Sequence, residues 1–378
     1  MHTLEVNVKV VPQRYDIHIG YDVLPTIAGT IAARRYGHAY AIVTDQNVRP
    51  LYAERLAAEL RQHHVEVAIL DFPAGERHKT RATKDSLDDR LLERHWGRDG
   101  AIIAVGGGVV GDVAGFVAGT YMRGIPYVQV PTTVIAQGDS SIGGKTAVDV
   151  PQGKNLIGVF HHPVAVFMDV QTLETLDARN YVSGLVELVK HGLIRDRELW
   201  RFLEERVELI LARSGPEYPA TMVELMDRNC RVKNDVVVAD DREAGLRKIL
   251  NYGHTVGHAV ELLSGYSLLH GEAIAIGIVC EGYFSCELGH CSRETYEAQV
   301  QVLRRLGLSL EIPACIEVEA ILRAMTMDKK ARESEAEFVL LEALGRTKVF
   351  GSGGHTVRVG RAALAAMLND LKTGRALP

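Results

Sequence analysis

The stretch AIIAVGGGVVGDVAGFVAG, residues 101–119, leaves this chain little freedom. An unbroken apolar run ends in three consecutive glycines, and a small-residue helical pattern follows at once. A strand that feeds a helix without a polar loop is the βα unit of a parallel sheet covered on both faces. Gly106–Gly111 also matches G-x-G-x-x-G. Glycines let backbone amides approach a pyrophosphate, and the helix N-terminus favours its charge. A tight turn that needs small residues for helix–sheet packing would have the same sequence. Asp112 sharpens the question, because an acid beside an anion site ought to repel it.

Strand-like runs recur at Leu4–Val11, Ala39–Thr44, Val65–Leu70, Ala101–Val105 and Tyr127–Val130, with helical stretches such as Val48–His63 and Thr80–His95 between them. This alternation predicts an α/β domain with a parallel sheet over residues 1–171. Around residue 172 the texture changes. Asn180–Arg213 is long and amphipathic, and Pro219–Val238, Leu246–Leu263, Gly271–Leu288 and Ser292–Leu306 also read as helices, so 172–378 is mostly α. At 378 residues two domains are expected. A net charge of −5 offers nothing to nucleic acid. The longest apolar run, Ala273–Cys280, is far too short to span a membrane. Five cysteines without metal or disulfide spacing, and an N-terminus that alternates like a strand, lead us to expect a cytoplasmic protein.

Three further regions carry chemistry. Asp45 ends a strand, with Asn47 just beyond; its carboxylate suits either a ribose hydroxyl or the N-cap of the helix from Val48. PTTVIAQGDSSIGGKTAVDVPQGKN, residues 131–155, is nearly a P-loop, but five residues separate Gly138 from Gly144 where a P-loop has four. Pro151 and Gly153 forbid a long helix after it. Lys145, Lys154, Asn155 and Arg123 remain as groups suited to a phosphorylated small molecule. Finally, residues 250–273 hold His254, His258 and His270, with Glu261 and Glu272 nearby. Three histidines in so short a segment point to a divalent metal. Spacing alone selects His254 and His258, four apart on one helix face, and leaves a third ligand to be found. SGLVELVKHG puts Glu187 and Lys190 on one face, as a salt bridge or as part of a cleft.

Taken together, GGGVVGDVAGF, TYMRG, VPTT, AQGDSSIGGKTAV, GKNLIG, GLVELVKHG, NYGHTVGHA, HGEAIAIG and MDKK resemble the 3-dehydroquinate synthase family of sugar-phosphate cyclases from about Asp45 to Leu341. The resemblance implies a Rossmann-like N-terminal domain, a helical C-terminal domain, an active site in the cleft between them, and a homodimer. It implies one NAD and one zinc or cobalt per subunit, and conversion of 3-deoxy-D-arabino-heptulosonate 7-phosphate to 3-dehydroquinate and phosphate in the shikimate pathway. The implied steps are transient oxidation by NAD, phosphate elimination, reduction, ring opening and aldol closure.

The metal ligands then fall on Glu187, His254 and His270, which makes His258 a candidate proton carrier instead. The implied dinucleotide contacts are Asp45, Asn47, Glu76 and Lys79, then Gly107, Gly108, Val109, Val110, Gly111 and Asp112. Thr132, Thr133, Asp139, Ser140, Lys145 and Lys154 follow, and last Thr172, Leu173, Glu174 and Thr175. The implied substrate contacts are Lys145, Asn155, Lys190, Lys233, Arg247, Asn251, His258 and Lys330, with Arg123 reaching in from a partner subunit. Departures from the family pattern are Gly138, where an aliphatic is usual, Val186 and Asp149. Gly138 is expected to loosen the loop that carries Asp139. A glycerol-type NAD dehydrogenase would need none of Lys145, Lys154, Lys233 or Arg247. A sister cyclase whose substrate lacks a carboxylate would leave Arg247 uncompensated. A non-catalytic NAD sensor would not need the metal set.

Overall fold

The computed structural model describes residues 14–327, 336–351 and 353–377. The expected strand Leu4–Val11 and the substrate contact Lys330 lie outside them. The chain divides into two compact units. One comprises the described chain up to His18, Leu24–Pro131 and Gly144–Met168; the other comprises Ile19–Val23, at the end of the first strand, Thr132–Gly143 and the chain from Asp169 onward.

In the first unit the chain runs β1 (Asp16–Gly20), α1 (Leu24–Arg34), β2 (Ala39–Asp45), α2 (Glu54–Gln62), β3 (Glu66–Phe72), α3 (Arg81–Leu92), β4 (Ala101–Gly106), α4 (Gly108–Thr120) and β5 (Tyr127–Pro131). The hairpin β6 (Lys145–Val150) and β7 (Gly153–Phe160) and the strand β8 (Ala165–Asp169) complete it. A six-stranded sheet forms in the order β1-β8-β5-β4-β2-β3, with parallel pairing at β2/β3, β2/β4, β4/β5 and β5/β8. After β3 the chain crosses back to place β4 on the other side of β2. The strand order therefore reverses between β2 and β4, and the carboxyl ends of those strands are where a doubly wound sheet opens a crevice. Asp45 and the glycine run end these two strands.

Every residue of β4 is buried, and α4 packs on the sheet because its glycines permit it. A Cβ at Gly111 would sit 2.9 Å from Gln129 Oε1, and one at Gly115 would overlap Thr146 on β6. Both meanings of the glycine motif thus hold at once: the later glycines serve packing, and Gly107 begins the helix without any side-chain cap.

The second unit is helical: α5 (Ala178–Arg195), α6 (Arg197–Ala212), α7 (Tyr218–Ala239), α8 (His254–Leu263), α9 (His270–Glu287), α10 (Arg293–Arg305), α11 (Val318–Met327) and α12 (Arg361–Lys372). Short strands β9 (Glu337–Phe338), β10 (Leu341–Ala343), β11 (Arg346–Thr347) and β12 (Val357–Arg358) lie before α12. No helix among the described residues is long and apolar enough to cross a membrane.

Several boundaries differ from the sequence expectation, each for a local reason. The stretch from Asn180 to Arg213 breaks at Asp196, which leaves helical geometry at φ −140° and caps α6 through the amides of Glu198 and Leu199. Leu246–Leu263 breaks at Gly253, a left-handed residue at φ 79°, so a 3₁₀ turn over Leu246–Asn251 precedes α8. Val48–His63 starts as a π-type turn over Arg49–Ala53, with Pro50 in its first turn. Strands β1, β6, β7 and β8 were not among the expected runs. The Thr132–Gly143 segment belongs with the second unit because its π-type turn (Ala136–Ser140) packs on α5 and α7.

The second unit is held by helices that touch backbone to backbone. A Cβ on Gly277 of α9 would overlap the carbonyl oxygen of Gly253, and a Cβ on Gly257 of α8 would lie 3.0 Å from the Ile274 Cα. Likewise, a Cβ on Gly271 would overlap the Ser183 carbonyl on α5. Gly277→Ala is expected to lower stability by about 3 kcal/mol, since backbone cannot move aside as a side chain can. Gly360→Ala, where no atom lies within 4 Å, is the control, and thermal unfolding of the two variants makes the comparison.

Candidate active site

Each unit carries its own cluster. In the second unit α5 supplies Glu187 and Lys190, α8 begins with His254 and carries His258, and α9 begins with His270. Glu187 and Lys190, one turn apart and both buried, form an ion pair through Glu187 Oε2. Glu187 Oε1 lies 3.5 Å from His254 Nε2 and 3.3 Å from His270 Nε2, and makes no hydrogen bond. Donor atoms of His254, His258 and His270 lie within 4.8 Å of one another.

The outer nitrogens of the two facing imidazoles are fixed. His254 Nδ1 is 3.1 Å from the Tyr252 carbonyl, and His270 Nδ1 is 3.4 Å from Glu261 Oε2. Both rings therefore turn Nε2 toward Glu187. Burial and the nearby Lys190 hold His254 well below the usual imidazole range despite Glu187, so its Nε2 lone pair is available. Burial also acts to lower His270, but the carboxylates of Glu187 and Glu261 outweigh it and raise the group to about 9. Burial would raise Glu187, yet Lys190 and the two histidines bring it well below its ordinary value.

The donor set fits a divalent cation. Two ligand atoms about 2.1 Å from one zinc at the tetrahedral angle stand about 3.4 Å apart, which is the spacing from Glu187 Oε1 to each Nε2. The outer hydrogen bonds to a carbonyl and a carboxylate are those that orient ligating histidines. Glu272 serves elsewhere: it accepts from the Leu269 amide and pairs with Arg179 of α5 at 2.7 Å.

Beside this cluster a chain of contacts runs through the π-type turn. Asp139 Oδ1 is 2.6 Å from Lys233 Nζ of α7 and 3.5 Å from His191 Nε2. His191 Nδ1 meets Asn229 Oδ1 at 2.7 Å, and Asn229 Nδ2 donates to the Gly138 carbonyl at 2.6 Å. Gly138 is closely packed in this loop, and its carbonyl accepts from Asn229. A Cβ there would approach Leu188 Cδ1 to 2.5 Å, so glycine is what lets the turn press onto α5. Arg247, buried in the 3₁₀ turn, donates from one terminal nitrogen to the Asp241 carbonyl at 2.6 Å and from the other to the Gly143 carbonyl at 3.1 Å. Its Nε is buried and makes no hydrogen bond. Asn251 donates to Glu243 at 2.8 Å.

In the first unit Lys79, itself buried, lies 2.6 Å from Asp112 Oδ2, 2.5 Å from Asn155 Oδ1 and 3.9 Å from Glu76. Burial opposes the charge on Lys79, but Asp112 and Glu76 outweigh it and raise the group. Asp112 beside the glycine loop is thus matched by an ammonium. Lys154 lies 3.5 Å from Glu76. Asn155 is left-handed at φ 56°, held by its amide on Asp149 Oδ1 at 2.8 Å. Asp45 Oδ1 caps the following turn through the amides of Asn47 and Val48.

The β6–β7 hairpin holds two further residues of the sequence reading apart. Lys145 faces Phe160 at the open end of the hairpin, whereas Lys154 follows its turn. About five residue steps, roughly 17 Å of strand, separate them. Arg123 is exposed in a left-handed turn. Thr132, Thr133, Asp139, Ser140 and the Thr172–Thr175 turn all belong to the second unit, where Thr172 Oγ1 bonds the Asp169 carbonyl and Gln137. The sequence reading missed Asn229, His191 and Glu281. A hint was present for the last, an acid that ends the apolar run Ala273–Cys280.

Comparison with known proteins now adds to the geometry. A family model described as 3-dehydroquinate synthase N-terminal matches residues 69–183, and one described as 3-dehydroquinate synthase C-terminal matches residues 184–331. The 3-dehydroquinate synthase of Synechococcus sp. is 42% identical over 351 residues, covering 92% of this chain and 95% of the relative. Among solved structures, ValA (2-epi-5-epi-valiolone synthase) from Streptomyces hygroscopicus subsp. jinggangensis, with NAD+ and Zn2+ bound, superposes with a TM-score of 0.86 at 28% identity. It covers 98% of this chain and 100% of its own. A 2-deoxy-scyllo-inosose synthase complexed with carbaglucose-6-phosphate, NAD+ and Co2+ gives 0.85 at 29% identity, covering 94% and 96%.

Asp139→Asn is expected to cost about 2 kcal/mol near pH 7, because it leaves Lys233 buried without its counter-charge. The cost is below that of a fully buried pair, since Asp139 is partly exposed. Lys233 and His191 outweigh burial and hold Asp139 well below its ordinary 3.8. Its stabilisation is therefore full above that value and is lost as pH falls below it. Denaturant unfolding should show the gap between wild type and variant narrowing below about pH 4.

Proposed function

The chain belongs to the 3-dehydroquinate synthase family, and from that premise we propose how its own residues divide the lyase reaction of the shikimate pathway. The observation that carries the reading is the placement of Glu187 Oε1 at 3.3 and 3.5 Å from two imidazole Nε2 atoms. Glu187, His254 and His270 are the ligands we assign to zinc, or cobalt, and the first unit's glycine loop is the seat we assign to NAD. The metal would supply Lewis acidity at the hydroxyl to be oxidised, and NAD a place to hold and return the hydride.

The protein's own groups do the rest. Lys190 neutralises the Glu187 oxygen that faces away from the metal ligands, so the buried carboxylate carries no unmatched charge. His258, close to both ligand histidines, takes the hydroxyl proton and passes it outward. Arg247 is anchored at both terminal nitrogens, which fixes its direction and leaves Nε to donate. That arrangement suits a substrate carboxylate and favours dehydroquinate synthesis over the sister reactions on substrates without one. Lys233, steered by Asp139, adds positive charge to the same end, and Asn251 is assigned beside it.

In the first unit, the uncapped amides of α4 at Gly107 and Gly108 suit the NAD pyrophosphate. Asp45 has its second oxygen for a ribose hydroxyl. The Lys79–Asp112–Asn155 network commits Asn155 Oδ1, which turns its amide NH₂ outward as a donor for the substrate phosphate. Lys145, at the other end of the hairpin, is assigned to substrate separately from Asn155. Arg123 is assigned to a homodimer partner's site, as its exposure allows.

The purified chain, given the heptulosonate phosphate, NAD and zinc, is expected to release phosphate and dehydroquinate together without net NADH. Steady accumulation of NADH would contradict the assignment. His254→Ala is expected to lose both zinc and turnover. His258→Ala is expected to keep zinc while turnover falls about 100-fold or more, the usual share of a general acid–base group. Metal analysis beside the rate assay separates the two roles.

A further inference from the structure

The reaction leaves one fully buried acid without a task. Glu281 lies on α9 with no exposed surface, at a place where an ionisable group is costly unless it is engaged. Its partners are backbone amides. Oε2 accepts from Gly253 at 2.9 Å; Oε1 accepts from Thr255 at 3.1 Å and from Val256 at 3.5 Å. These amides straddle His254, the first residue of α8. Burial acts to raise Glu281 and the amides to lower it, with a net rise to about 8.

The segment it grips has little other freedom. Gly253 is left-handed, and a Cβ there would come within 2.9 Å of the Ile278 amide. Before it, the Tyr252 hydroxyl donates to Gln299 at 2.8 Å, while the Tyr252 carbonyl faces His254 Nδ1. The turn Tyr252–Gly253–His254 is thus anchored on α10 through Gln299, and on α9 through Glu281 and the Ile278 carbonyl. The α9 anchor determines where α8 begins. His270 opens the same helix α9, so a single rigid element sets the positions of two of the facing imidazoles.

We propose that Glu281 is a positioning residue for the metal centre: by holding the amides on either side of His254 it sets that imidazole against Glu187 Oε1 and His270. The proposal deepens the zinc reading above and rests on it.

The test is zinc affinity by chelator competition on the full chain. Glu281→Ala and Glu281→Gln would be compared with wild type, Ser285→Ala and His254→Ala. Ser285 lies one turn along α9 and bonds the Leu341 amide at 3.0 Å, so its loss disturbs the same helix away from the turn. Glu281→Ala is expected to bind zinc about 10- to 100-fold more weakly, the usual effect of removing an outer partner of a metal ligand. Glu281→Gln, which keeps one accepting oxygen, should fall between, and Ser285→Ala should bind as wild type. Turnover at saturating zinc should drop with the affinity series, with KM for the phosphorylated substrate within about twofold of wild type.

Unchanged zinc affinity in both Glu281 variants, even with a lowered Tm, would overturn the proposal and leave Glu281 a cap for the fold alone. If Glu281→Ala does not fold, Glu281→Gln decides by itself. Full zinc in His254→Ala would instead defeat the ligand set, a separate failure.

Discussion

The second unit depends on three helix backbones coming closer than side chains allow. Where α8 meets α9, and where α9 meets α5, glycine is the only residue that fits. Close approach brings residues at or near the helix starts, His254 and His270, to a carboxylate in the middle of α5. Helices ordinarily pack at 8–10 Å with side chains between them. A Cβ at Gly257, Gly271 or Gly277 would press on neighbouring backbone and push these helices apart. The glycines are therefore as much a part of this cluster as the side chains that face one another in it, although none carries a chemical group.

Paired charge is the second organising feature. Lys79 with Asp112, Lys190 with Glu187 and Lys233 with Asp139 are all buried lysines beside carboxylates. A buried pair gives little net stability, but breaking one is costly. Such pairs hold ammonium groups in fixed directions, each beside a counter-charge. This also answers the question posed by Asp112. The acid beside the glycine loop is the counter-charge of Lys79, so the loop's neighbourhood is not left acidic. The same lysine ties Asn155, assigned to substrate, to a network assigned to the cofactor.

Much of the architecture was legible from periodicity. The strands β2 to β5 lie within a residue or two of their expected bounds, because parallel strands are short apolar runs that little else resembles; β2, β4 and β5 are almost wholly buried, while the edge strand β3 is only partly so. The exposed β7 and the paired β6 escaped notice, since a glycine- and lysine-rich hairpin with one wet face has no such run. Helices were found but joined across breaks. Asp196 and Gly253 each end a helix through geometry that periodicity does not register. At the site, histidine spacing identified the right segment and the resemblance supplied Glu187. Neither signalled His191, Asn229 or Glu281, whose partners are distant in the chain.

The sequence by itself determined which groups are present: a glycine loop behind a buried strand, three histidines in a short helical segment, and a glutamate and lysine one turn apart. It also determined, through local patterning, that a parallel sheet comes first and helices follow. Only the tertiary structure decided which of these groups meet. The contacts of Glu187 with His254 and with His270 span 67 and 83 residues, and those between Asp139 and Lys233 span 94. Local sequence has no energy term for pairs so far apart. Their meeting is set by where helices can touch, and that depends on which surfaces lack a Cβ when the core closes.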